Sequence, residues 1–366
     1  MNVNVDVDVL IVGARIAGSV TASLLGEAGH RVLVVDAATF PSDTISTHFF
    51  RGAGLVSVLE RLGILDGVLA LTSPPLTCEY VFHGRDPVPS VEGPQDPGSF
   101  GYCLSVRRLP LDALLLERAR QTKGVAVWEA APARGILRDG DGRVIGANID
   151  HGGEAKTVRA RMVVGADGRG SAVARWVEAH ATRRETATRA MYFRYFRGYR
   201  GPSGSWDGPE FSFLGDELVY AFPSDDDVTC LAISINLEMF AAFRADRDQM
   251  FAKRILEHPG IGPRFATATP ASRILGSGPK DALIRVPCGP GWALVGDAAM
   301  NQDPWTGLGM DNASIHASFL AEAIDAWLAG RMDERTALKE YAFRRDDHAL
   351  PGFDSTAELG RDLSSL

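Results

Sequence analysis

Long apolar runs, paired cysteines and lysine are all scarce in this chain of 366 residues. No uninterrupted apolar stretch approaches the ~18 residues of a membrane span, which leaves peripheral contact as the only way to meet a bilayer. The four cysteines, at 78, 103, 230 and 288, are widely separated and form no Cys-x-x-Cys and no His/Cys grouping. That spacing excludes a disulfide framework and a zinc-type site, and predicts reduced thiols in a cytoplasmic protein. Net charge is −8, from 38 basic and 46 acidic residues, and no basic cluster resembles a nucleic-acid footprint. Nucleic acid is thereby excluded as a partner. Lysine occurs only at 123, 156, 253, 280 and 339, so the first hundred residues have none. Met1 to Asp8 alternates valine with Asn or Asp and lacks a basic n-region, so no signal peptide is expected there.

Length implies about two domains and enough chain for a substantial core. No internal repeat or low-complexity linker divides them. The most telling stretch is Ala293-Leu294-Val295-Gly296-Asp297-Ala298-Ala299, followed by Asp303-Pro304-Trp305-Thr306-Gly307-Leu308-Gly309. An apolar strand ends in a Gly-Asp turn, Pro304 fixes the next bend, and Gly307 and Gly309 let backbone amides approach a ligand at the head of a helix. By itself it also suits an ordinary βα connection.

Two upstream segments give it context. Asp8-Val9-Leu10-Ile11-Val12 reads as a buried strand, and Gly13-Ala14-Arg15-Ile16-Ala17-Gly18 opens a helix to about Ala28. A second strand, Arg31 to Val35, ends at Asp36, 23 positions past Gly13. Such a βαβ unit places a pyrophosphate on the helix N-terminus and a ribose on the terminal carboxylate, for NAD or FAD alike. Arg15 stands where the fingerprint has its second glycine. Its side chain either points away or brings its guanidinium to the phosphate. The second segment is Met162-Val163-Val164-Gly165-Ala166-Asp167-Gly168-Arg169-Gly170-Ser171.

In this order the three segments resemble the para-hydroxybenzoate hydroxylase-type flavoproteins: single-component FAD monooxygenases with their geranylgeranyl reductase-like and halogenase-like relatives. Ser42 to His48 and Arg108-Leu109-Pro110-Leu111-Asp112 are similar to a bacterial branch of FAD-dependent oxidoreductases. The resemblance implies an α/β fold, with a discontinuous Rossmann-like FAD-binding domain (1–75, 103–184 and 269–366) and a β-rich substrate domain (76–102 and 185–268). It implies that Asp297 binds the ribitol chain, Asp36 the adenosine ribose and Arg108 the FAD, with Asp167 near the pyrophosphate. Each of these acids also suits a plain cap or turn role.

In the 185–268 span, Met191 to Arg197 and Leu218 to Phe222 alternate with approximately period two. Tyr192, Phe211, Phe213, Tyr220 and Phe222 are the candidates for lining an aromatic or polycyclic substrate cavity, against the reading of a structural sheet core. The helix from about Met310 to Leu328 presents free amides that suit the negative charge of a reduced flavin. A second helical stretch, Glu334 to Asp347, is followed by Leu350-Pro351-Gly352 and a short polar end, so no thioredoxin-like C-terminal module is expected.

His48 is the first candidate catalytic side chain, able to tune a phenolic substrate or relay a proton. A satisfied structural histidine fits it equally. Asp303, before Pro304, is the second, with a turn cap as its other reading. The family implies NAD(P)H as transient reductant, O2 as co-substrate and a C4a-(hydro)peroxyflavin that hydroxylates or epoxidises a hydrophobic small molecule. The alternatives are a geranylgeranyl reductase-like enzyme acting on double bonds and, further away, a non-catalytic flavin-binding module. The six tryptophans never form the Trp-x-Trp-x-Ile-Pro of the halogenases, and the lysine-free first hundred residues argue against a catalytic lysine there. Oligomeric state is left open by the sequence.

Overall fold

Apolar runs from distant parts of the chain become neighbouring parallel strands. The Asn4–Val12 strand pairs with Val32–Val35 on one side and Glu154–Gly165 on the other, with Val125–Trp128 and Trp292–Leu294 beyond them. Val9, Leu10 and Ile11 are fully buried because both sheet faces are covered, so the strand reads as one apolar run rather than an alternation. Val9, Ile11, Val34 and Val164 pack on the helical side, while Leu10, Leu33, Val163 and Leu294 pack on the other against Val144 and Val173.

This computed structural model describes residues 4–71, 76–77, 81–84, 102–204 and 208–365. Most of the expected 76–102 segment, Cys78, the start of the Met1 to Asp8 stretch and the centre of the Gly198 to Gly208 interval lie outside the described residues. Among the described residues no helix is long and apolar enough to cross a membrane, and no His/Cys/Asp/Glu group could hold a metal ion.

The Ile16–Glu27 helix is buried along almost its whole length. Small side chains let it lie close to its neighbours: a Cβ on Gly26 would sit 2.5 Å from Val125. Its buried hydroxyls turn back on the helix itself, Ser19 donating to Ala14 O, Thr21 to Ala17 O and Ser23 to Ser19 O. No polar group is left for the sheet to satisfy.

A second sheet runs Thr269–Pro270, Arg189–Arg197, Thr229–Asn236, Glu217–Pro223, Glu210–Leu214, Val81–His83, with Leu275–Ser277 also on Arg189–Arg197. Its pairing therefore extends to Ser277, beyond the expected boundary at 268. Its two faces divide by parity. Met191, Phe193, Tyr195, Tyr220 and Phe222 share one face with Phe49. Tyr192, Phe196, Val219 and Ile233 share the other with Phe243, Phe251 and Ile255. The last three belong to helices, Leu237–Ala245 and Arg247–Glu257, inside the span read as β-rich. Asn236 and Asp246 cap them through Met239 N and Gln249 N, so the helix-start signals were present in the sequence.

The C-terminal helix also differs from expectation, running Glu334–Leu359 straight through Pro351. Buried Ala349, Phe353 and Thr356 hold it on both sides of the proline, and Trp305 Nε1 donates to Thr356 O at 3.0 Å. Tertiary packing here outweighs the lost helical donor.

Two buried glutamates fasten the back of the second sheet. Glu210, fully buried, accepts from His83 Nε2 at 2.7 Å and from Arg264 at 2.8 Å. Glu217 accepts from Arg254 Nε at 2.9 Å. Burial alone raises the pKa of both carboxyls, but the hydrogen bonds from Arg264 and His83, and from His258 and Arg254, outweigh it and leave both below the ordinary value. A depressed folded pKa contributes stability above the unfolded carboxylate pKa and loses it as pH falls through the folded value. Urea denaturation is therefore expected to show stability falling on the acid side of that range. Glu210→Ala should cost about 3 kcal/mol at neutral pH by stranding Arg264, and should flatten the acid limb.

Candidate active site

Three parallel strands end at one place, and the turns that leave them are tied across the sheet. Gly13 N donates to Val35 O at 2.8 Å, Ala166 N to Val12 O at 2.8 Å, and Val295 N to Gly165 O at 2.9 Å. This crossing needs glycine. Gly13 has φ +108°, and a Cβ there would lie 2.3 Å from Ala166 O; one on Gly18 would lie 1.8 Å from Gly13 O.

Above these turns opens a cavity of ≈ 710 Å³. Of the residues read as cofactor-binding, Gly13, Arg15, Ala17, Asp36, Arg108 and Asp167 line it from the first half of the chain. Gly296, Asp297, Pro304, Gly307 and Gly309 line it from the second. Ala14, Gly18 and Leu308 stand behind the wall: Ala14 N donates to Asp36 Oδ2 at 2.8 Å, Gly18 packs on Gly13, and Leu308 caps the Gly309–Leu328 helix.

The acidic residues divide by what already occupies their oxygens. Asp167 accepts from Ala172 N at 2.6 Å, Val173 N at 3.1 Å and Ser171 Oγ at 2.5 Å, a cap on the short helix that follows. Asp36 holds Ala14 N and Ala38 N, one on each oxygen. Asp303 caps its own turn through Trp305 N at 3.1 Å, and burial raises its pKa. Asp297 has no hydrogen-bond partner among the described residues. Burial pushes its pKa up, opposed by the charges of Arg169, Arg108 and Arg285.

Arg15, read as either pointing away or bringing its guanidinium to a phosphate, lines the cavity with its guanidinium held by the chain itself. Its guanidinium reaches Asp112 Oδ2 at 2.7 Å, Ser42 Oγ at 3.0 Å and Asp43 O at 2.9 Å. Asp112 is fully buried and also takes two 3.0 Å bonds from Arg108. The arginine that displaced the fingerprint glycine thus ties that turn to the Arg108–Gln121 helix. Sequence reading missed a similar acid, Asp311, which accepts from Leu55 N at 2.9 Å and from the Arg51 backbone and side chain. An acid in the first turn of a helix was its signal, and it fastens the Gly309–Leu328 N-terminus beside the cavity.

The second sheet contributes Met191 and Phe193 to the wall, with Phe49 beside them. The five aromatics read as substrate-lining do not line it. Tyr192 is on the opposite face, stacked on Phe243 at 4.9 Å, because the strand register turns odd positions toward the cavity. Phe211, Phe213, Tyr220 and Phe222 lie on the correct face but pack on one another and on Phe82. Tyr220 OH donates to Trp305 O, which closes that cluster under the 303–306 turn.

His48 does line the cavity, buried, with φ +55°. Its Nε2 is bonded to Tyr195 OH, a residue sequence reading did not single out. Burial, with Arg108 next, pushes its pKa down to about 3, so the ring is neutral at physiological pH. Its Nδ1 is buried without a partner among the described residues, as are both amide atoms of Asn301 and the Oε1 of Gln302, all on cavity-lining residues.

Comparison with known proteins agrees with this geometry. The profile of the FAD binding domain family matches residues 6–197, just over half of the chain. Digeranylgeranylglycerophospholipid reductase of Thermoplasma volcanium is 26% identical over 325 residues, 86% of this chain and 77% of that protein. PqsL of Pseudomonas aeruginosa, a probable FAD-dependent monooxygenase, superposes with TM-score 0.77 at 26% identity, covering 98% of this chain and 96% of that one. The myxobacterial chondrochloren halogenase CndH superposes with TM-score 0.84 at 24% identity, over 96% and 81% of the two chains, a likeness of fold.

The residues present fit FAD. Gly13 and Gly18 let the turns at the strand ends pack directly on one another beside the cavity, while Asp297 offers it a half-buried carboxylate with no hydrogen-bond partner among the described residues. Asp297→Asn should weaken FAD binding about tenfold to a hundredfold in a fluorescence titration, the loss of a charged hydrogen bond. The apo protein should melt at the same temperature or higher, because the variant removes a half-buried carboxylate whose ionisation the surroundings disfavour.

Proposed function

The chain belongs to the FAD binding domain family and is an FAD-dependent oxidoreductase, and on that premise we propose a monooxygenase acting on a hydrophobic aromatic or polycyclic small molecule. The substrate is hydroxylated or epoxidised, with NAD(P)H as transient reductant and O2 as co-substrate. One observation carries this reading: Met191 and Phe193 of the second sheet share a single cavity with the Gly13 turn and Asp297. An apolar wall and a nucleotide cradle facing one volume are what a cofactor and an apolar substrate in contact require.

In this reading FAD, when bound, accepts reducing equivalents from NAD(P)H and activates O2. The chain supplies position, charge and dryness. Asp297 accepts from the ribitol hydroxyls and Asp36 from the adenosine ribose, using lone pairs left by Ala14 N and Ala38 N. Asp167, with three donors of its own, acts by shaping the turn that presents the Ala166 to Gly168 backbone. The Gly309 helix end, fastened by Asp311, places amides toward negative charge on the reduced cofactor. Arg108 adds a cation whose orientation Asp112 fixes. The flavin half is assembled from segments at both ends and the middle of the chain, and the substrate half from 185–268 with Val81–His83, extended through Ser277 by strand pairing.

The similarity to a reductase supports a second reading, saturation of a double bond in a polyene. Oxygen separates the two. With the true substrate, NAD(P)H oxidation should be substrate-stimulated, should stop anaerobically, and should carry label from isotopic O2 into the product. Anaerobic turnover to a saturated product establishes the reductase instead. His48→Ala and Asp303→Ala should each lower turnover at least ~10-fold if they assist proton movement. Wild-type turnover in both variants removes the two side chains from the chemistry.

A further inference from the structure

The His48 and Tyr195 pair contains more information than either residue alone. Tyr195 lies on the cavity-side face of the second sheet, its ring stacked on His48 at 5.4 Å, with Phe193 edge-on to the imidazole at 5.9 Å. The left-handed backbone at His48, and its N–H to Ser46 Oγ at 3.3 Å, set the ring in place. The Tyr195 hydroxyl has one partner among the described residues, His48 Nε2, and His48 Nδ1 has none.

Counting hydrogens distinguishes the two arrangements this contact permits. If Nε2–H donated to the tyrosine oxygen, the phenolic hydrogen and the bare Nδ1 would both be stranded in the interior. If the phenol donates to Nε2, the proton resides on Nδ1 and a single donor is left without a partner. Each buried orphan costs about 1–3 kcal/mol, so the second arrangement wins. The surroundings agree: Arg107 lies over the Tyr195 ring at 5.9 Å, clamped by Asp225 on its N at 2.7 Å and its Nε at 2.8 Å. A cation over the ring strengthens the phenol as a donor. Arg108 and Arg107 disfavour a charged imidazole, against Asp225, while Asp43 and Cys230 are the other titratable groups around the phenol.

We propose that Tyr195 is a positioning residue that fixes His48 as the neutral tautomer with its proton on Nδ1. His48 is thereby a hydrogen-bond donor to an oxygen acceptor, a carbonyl or an oxyanion, of the molecule bound in the cavity. A neutral imidazole in this role polarises a carbonyl or stabilises a phenolate without gaining a proton. The acceptor is an oxygen of the flavin or of the substrate. The inference rests on the cavity being the flavin and substrate site, but the tautomer is measured without any oxygen-transfer assay.

Nitrogen-15 NMR of histidine-labelled, FAD-loaded protein, with His48 assigned by its loss in His48→Gln, tests this. The expected result is the Nδ1–H tautomer, unprotonated from about pH 5 to 8, against the ordinary histidine range. Tyr195→Phe should turn that single tautomer into a mixture while leaving the FAD content unchanged. Comparing apo protein, FAD-loaded protein and FAD-loaded protein with 4-cyanophenol identifies the acceptor, since the Nδ1–H resonance should move on loading with the flavin or on adding the phenol. A charged ring at pH 6, an Nε2–H tautomer in the wild type, or a resonance indifferent to both additions overturns the proposal. The wild-type measurement stands even if Tyr195→Phe does not fold.

Discussion

Everything at the site depends on the parallel register of three strands, Asn4–Val12, Glu154–Gly165 and Trp292–Leu294. Val12 lies opposite Gly165 and Gly165 opposite Leu294, so all three chains leave the sheet at the same level. A shift of one residue would turn the buried side chains of a strand to its other face, and with both faces packed that cost fixes the register. The consequence is geometric. Segments 154 and 130 residues apart in the chain deliver Gly13, Asp167 and Asp297 to one volume, with backbone amides bonded across the strand ends.

Charge then holds what the register brings together. Asp112 gathers Arg15 and Arg108, and Asp311 gathers Arg51 and the Leu55 amide, in each case a buried carboxylate with several donors. Fully satisfied networks of this kind fix orientation, whereas a half-satisfied one costs stability. Asp297 is the exception. Half-buried in the cavity wall, it is partly desolvated with no hydrogen-bond partner among the described residues, an imbalance that a ligand in the cavity would relieve.

The fold and the flavin cradle were legible because their signals are local: a strand, a glycine turn, a helix and an acid at fixed spacing. The apolar wall proposed for the substrate was not, for a reason visible in Met191-Tyr192-Phe193-Arg194-Tyr195-Phe196. Both parities of this strand carry aromatics, since one face meets the cavity and the other meets the helices that follow Asn236. Alternation reveals that a strand has two faces but not which face looks where when both are buried. Tyr192 was chosen and Tyr195 overlooked on that ambiguity. Pro351 misled in the other direction, because a local breaker was outvoted by Phe353 packing with Ile284 and Met300 and by Thr356 bonding to the 303–306 turn.

The two halves of the cavity are thus made of different material. The flavin side is mostly backbone: turn amides, helix ends and glycines whose replacement would collide with main-chain atoms. The facing side is built from side chains, with Met191, Phe193 and His48 meeting the Asn301 amide and the Gln302 Oε1, which have no partner among the described residues. Side chains can change without disturbing a register, whereas backbone geometry cannot. A reductase, a halogenase and a monooxygenase can therefore resemble this chain while differing in what they transform. Selectivity must then reside in the few polar atoms that the apolar wall leaves unsatisfied. A buried donor or acceptor that a wrong ligand fails to meet discriminates far more strongly than an apolar surface that accepts any shape of similar size.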